Sequence, residues 1–80
     1  MTKPQQKLSE IPELVKYSKY LIRSNYLSVS KSKDILRECS VYADKYRNSS
    51  NILESEKAAE ALHNLKEFAK WLRERTALAS

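Results

Sequence analysis

Glycine is absent from all 80 residues, and cysteine, histidine, methionine, tryptophan and phenylalanine each occur once. Each scarcity excludes something. Without glycine the two-residue turns that favour positive φ are hard to close, so β-hairpins are disfavoured. The glycine-rich loops that cradle phosphates in nucleotide-binding proteins cannot be built at all. A single Cys39 allows no intramolecular disulfide, which points to a reducing, cytoplasmic setting. Uninterrupted apolar runs are two or three residues long, too short for a signal peptide core or a membrane span.

What remains is rich in Leu, Ala, Glu, Lys and Arg, the residues that lose least on entering a helix. The expected fold is all-α, a small antiparallel three-helix bundle with a long C-terminal helix. Residues 1–8 are polar and predict a flexible N-terminal tail, leaving 9–80 as one helical-bundle domain. A chain of this size buries about 60% of its unfolded surface, so stability of a few kcal/mol is expected.

Ser9 is the first N-cap candidate, with Pro12 expected in the first turn. Ile11, Leu14, Val15, Ser18, Leu21 and Ile22 then recur at three- and four-residue steps, predicting a helix over about 10–25. Ser30 or Ser32 would cap a second helix over about 32–47, its apolar face formed by Ile35, Leu36, Cys39, Tyr42, Ala43 and Tyr46. Asn48 is its expected substitute for a C-terminal glycine. Asn51 and Glu54 have capping-box spacing, with Ser55 a rival start. The third helix, over about 52–78, carries a stripe of Ala58, Ala61, Leu62, Leu65, Phe68, Ala69, Leu72 and Thr76. The predicted core is Ile11, Leu14, Val15, Leu21, Ile22, Ile35, Cys39, Tyr42, Tyr46, Leu62, Leu65, Phe68 and Leu72.

No catalytic constellation emerges. Glu60 and His63 have the Glu-x-x-His spacing of di-iron bundles, but in one copy and on the face opposite the apolar stripe. Cys39 reads as a packed thiol, and the lone His63 faces away from it. The expectation is therefore no enzymatic activity, no metal and no cofactor.

Charge is more informative. The net charge is +5, and residues 1–47 hold ten Lys or Arg against five Asp or Glu, while residues 48–80 hold five of each. Lys16, Lys19 and Arg23 form a stripe on the first helix, and Lys33 and Arg37 extend it onto the second. Tyr17, Trp71 and Leu78 border the core stripes and, with Phe68 beside them, suit a partner-binding wall, with the basic stripe steering an acidic or amphipathic segment. The leading expectation is thus a non-catalytic protein-interaction module, an adaptor or regulatory subunit using an interhelical groove. A small basic nucleic-acid-associated regulator is the alternative. A homodimer paired through the long third helix is a further one.

Three helices in this length resemble microtubule-interacting and transport domains, a likeness that implies binding a partner helix between two helices. Size, charge and all-α character are also similar to bacteriocin immunity proteins. Both are likenesses of layout rather than of motif.

Overall fold

The computed structural model describes residues 4–79, with side-chain surroundings described as far as Thr76. Three helices form the bundle: α1 (Pro4–Arg23), α2 (Val29–Arg47) and α3 (Ile52–Ala79). Among the described residues there is no strand. Short connections make sequential neighbours antiparallel, so α1 and α3 run the same way. At about 1.5 Å per residue, the 28 residues of α3 span about 42 Å and account for the 44 Å long axis of the molecule. The third helix packs along both of the others, which touch each other only sparsely.

Burial follows helical spacing. On α1 the buried positions are Leu8, Ile11, Val15, Ser18 and Ile22; on α3 they are Ala58, Ala61, Leu65, Phe68 and Leu72. The second helix fully buries only Ser32 and Ala43, with Leu36, Cys39, Tyr42 and Tyr46 half-covered against the core. Ala43, Ala58 and Ala61 have no solvent exposure, and such short side chains let α2 and α3 approach closely.

The N-terminal boundary corrects the expected tail. Residues 4–8 are helical, and Leu8 is only 1% exposed, one of the largest fully buried side chains. Met1–Lys3 lie outside the described residues. Ser9 is not a cap: its hydroxyl donates back to the Gln5 carbonyl at 2.8 Å, an intrahelical bond. Pro12 therefore stands inside the helix rather than in its first turn. The physical reason is tertiary. Leu8 lies three residues before Ile11 on the same face, and burying it offsets the broken backbone bond at Pro12.

Among the described residues asparagine supplies the one left-handed position, at a different place from the expected one. Asn25 has φ 64°; its N–H donates to Ile22 O at 3.1 Å, and the Tyr26 N–H donates to Leu21 O at 2.9 Å. That pair of bonds is a Schellman motif, ending α1 with Asn in the position glycine usually fills. Asn48 instead has φ −105°. Asn25→Gly should hold or slightly raise stability in urea melts, whereas Asn25→Val should cost about 1–2 kcal/mol. Equal losses for both would mean that the side chain, not the backbone angle, matters here.

Capping also shifts. Ser28, rather than Ser30 or Ser32, caps α2, its side chain accepting from the Lys31 N–H at 3.1 Å. Ser32 is buried and donates to Ser28 O at 2.9 Å. At α3 the Asn51 Oδ1 accepts from Leu53 N–H at 3.0 Å and Glu54 N–H at 3.2 Å. The return half of the box is relayed: Asn51 N–H donates to Ser49 Oγ, which donates to Glu54 Oε1 at 2.9 Å. Ser55 ties the two helices together by donating to Arg47 O at 2.7 Å.

Candidate groove and basic end

Because α3 carries both other helices, the seam between α1 and α2 stays open. It forms a cleft of about 350 Å³ bordered by Lys7, Glu10, Ile11, Leu14, Glu38, Cys39 and Tyr42. Leu14, expected in the core, is 39% exposed here. On a helical wheel it falls on the α2-facing flank of α1, about 60° from Ile11, so it reaches the seam but is not covered by α2. Lys7 caps one end of the cleft, its ammonium 4.4 Å from the Tyr42 ring centroid. The Tyr42 and Tyr46 rings lie 5.1 Å apart at 55°.

Burial pushes the Cys39 thiol above its ordinary pKa; the Glu38 carboxylate raises it further and the Lys7 ammonium partly opposes this. A raised pKa means less thiolate at any given pH, so alkylation by iodoacetamide should be slower than for a free thiol. Its rate should reach half-maximum at a pH above the ordinary thiol range. Glu38→Gln should speed the reaction and Lys7→Gln slow it; the reverse order would discard this electrostatic account. The same sign makes Cys39 ionisation unfavourable to folding, with stability lost only as pH rises above the unfolded thiol's pKa.

The described members of the wall expected from Tyr17, Phe68, Trp71 and Leu78 do not share one exposed surface. Phe68 is 1% exposed and belongs to the core, because Leu65, Phe68 and Leu72 share the buried face of α3. Tyr17 follows Leu14 by three residues, on the α2 flank of α1, whereas Trp71 faces the opposite flank. The side chain of Leu78 lies outside the described residues. Trp71 is half-buried beside Phe68, with centroids 6.1 Å apart. Three cations surround its ring: Lys19 and Arg23 each at 5.7 Å and Arg75 at 5.4 Å from the centroid. Such contacts contribute about 0.5–1 kcal/mol each at exposed sites.

The expected steering residues are dispersed around one end of the bundle. Lys16 is exposed on α1. Lys19 also borders a small cleft of about 180 Å³ with Glu67, Lys70, Trp71 and Glu74. Lys33 borders an open cleft of about 570 Å³ with Asn25, Ser28, Ser30, Arg75 and Thr76. Arg37 pairs with Asp34 at 3.2 Å on the exposed face of α2. His63 and Glu60 are exposed, and Glu60 lies 4.0 Å from Lys57. Among the described residues no three metal-ligating side chains converge, and no helix is long and apolar enough to cross a membrane.

Charge is therefore polarised along the long axis. Residues 16–37 and 66–76, which fold into one half, carry ten Lys or Arg and three Asp or Glu, a net +7. The other described residues carry four and seven, a net −3. No family model, curated protein or solved structure matches the chain.

Proposed function

We propose that this chain is a non-catalytic protein-interaction module whose α1/α2 groove takes one amphipathic helix of a partner protein. The observation that carries this reading is the open seam, where Ile11, Leu14, Cys39 and Tyr42 meet and Leu14 is left partly uncovered. An apolar ridge at helical spacing fits such a trough, as in other helix-in-groove complexes. The rims supply the polarity. Glu10 and Glu38 flank the floor in the acidic half, so the preferred helix has basic residues beside its apolar ridge.

Cys39 is a built-in reporter, since it is the only cysteine and lies in the groove. The probe is a synthetic amphipathic peptide with Leu at i, i+3, i+4 and i+7 and Lys and Arg on its flanks. At about ten times its Kd it should slow Cys39 alkylation about tenfold, in proportion to occupancy. Leu14→Asp should abolish this protection, and a Glu-flanked peptide should bind more weakly. Equal protection by a scrambled peptide of the same composition, or none by the amphipathic one, would rule the groove out.

A further inference from the structure

We propose that the basic end of the bundle is a binding surface for single-stranded nucleic acid, independent of the α1/α2 groove. The first observation is the charge division, net +7 at one end against −3 at the other. Between Glu13 and Asp34 there is no acidic residue at all, while Lys16, Lys19, Arg23, Lys31 and Lys33 fall in that interval. Among the described residues, the ion pairs are Asp34–Arg37 and Lys57–Glu60. Among these residues no carboxylate lies within salt-bridge distance of the α1 cations, and phosphates can take that place.

The second observation is which hydrophobic groups are exposed, and where. Among the described residues at the basic end they are tyrosines: Tyr17, Tyr20 at 60% and Tyr26 at 81% exposed. Tyr20 stands between Lys16 and Arg23 at four- and three-residue spacing on the outer face of α1, and Tyr17 stacks beside it at 6.5 Å. The exposed aliphatics among the described residues, Leu14, Val41, Ile52 and Leu53, belong to the acidic half. Cations interleaved with open aromatic faces are what an unpaired strand uses, its phosphates on Lys and Arg and its bases on the rings. A duplex hides its base faces and would leave the tyrosines idle. An anionic membrane would favour aliphatic side chains beside the cations, and among the described residues the exposed ones are at the other end.

Trp71 has a supporting part. Lys19, Arg23 and Arg75 rest around its ring, which holds three flexible cations in one cluster at the α1/α3 seam. Less side-chain freedom is then lost when a phosphate binds.

The test uses the full chain and fluorescein-labelled oligothymidylate and oligouridylate of about twenty nucleotides, longer than most single-domain sites. Anisotropy titrations at several salt concentrations should show binding that weakens with salt, by a log–log slope of about −0.7 per phosphate neutralised. Replacing Lys16 and Arg23 together by Gln should reduce that slope by about 1.4. Tyr20→Ala should weaken binding about tenfold with the slope unchanged, because stacking carries no counterion. Both variants change exposed side chains, and circular dichroism checks that they fold. Leu14→Asp should bind the oligonucleotides normally, which separates this surface from the groove. The proposal is overturned by no anisotropy change at low salt, by full affinity in Tyr20→Ala, or by preference for a duplex. Equal competition by polyglutamate, or capture only by phosphatidylserine vesicles, would likewise overturn it and identify a charge-only or lipid surface.

Discussion

Phe68→Ala is expected to remove a large share of the chain's stability, with thermal melts followed by far-UV circular dichroism shifting steeply downward. Phe68 is the largest of the fully buried side chains and sits where α3 meets the rest of the core. Truncating a buried Phe costs about 3–5 kcal/mol, from lost transfer energy and the cavity left behind. A domain of this length has about 4–12 kcal/mol to lose, so one substitution removes a large share. The Tm should fall by at least about 12 °C. Trp71→Ala is the paired control. Its ring is half-buried and its neighbours Lys19, Arg23 and Arg75 can turn to solvent, so the bundle should stay folded with a smaller loss. Comparable melting of the two variants would mean that Phe68 is not the keystone its burial implies.

Phe68 and Trp71 also show what the sequence can and cannot reveal. They are adjacent on α3 by helical spacing, and both were expected on a docking wall beside the core. A wheel resolves the two faces of an amphipathic helix well, which is why Leu65, Phe68 and Leu72 read correctly as core positions. It does not say which neighbour covers which flank. Tyr17 and Trp71 look equivalent on their own helices, yet they face different seams because α3 bridges the other two. Leu14, Cys39 and Tyr42 had the pattern of core residues for the same reason. Their part in an open groove depends on how closely α1 and α2 approach, a property of the assembled bundle and not of either helix. The ends were harder. Ser9 followed by Pro12 matches a common helix start, and the signal against it was one residue, Leu8, in phase with Ile11. The polarised charge was half visible: the N-terminal excess was legible, but joining Lys70, Arg73 and Arg75 to it required knowing how closely the C-terminal half of α3 packs beside α1.

Pro12→Ala is expected to stabilise the protein, an unusual direction for a substitution inside a helix. Pro12 lies in the interior of α1, where it has no N–H to give the Leu8 carbonyl and its ring crowds that carbonyl. The penalty against Ala in a helix interior is about 3 kcal/mol, and the stiffer unfolded chain that proline provides returns only about 0.4–1. A net gain of about 2 kcal/mol should raise Tm by about 8–16 °C. The break lies within the groove: Lys7, Glu10 and Ile11 precede it and Leu14 follows it. The turns from Pro4 to Ile11 therefore lean on the burial of Leu8 and Ile11 more than on an unbroken backbone ladder. Amide exchange in residues 8–11 should be faster than in residues 16–22 of the native chain, and Pro12→Ala should narrow that gap. If the groove must flex to admit a helix, the same substitution should slow association of the amphipathic peptide without weakening its hold once bound. A lower Tm in Pro12→Ala would instead show that the bend at proline is needed to seat Leu8, making the imperfect helix a requirement of the core.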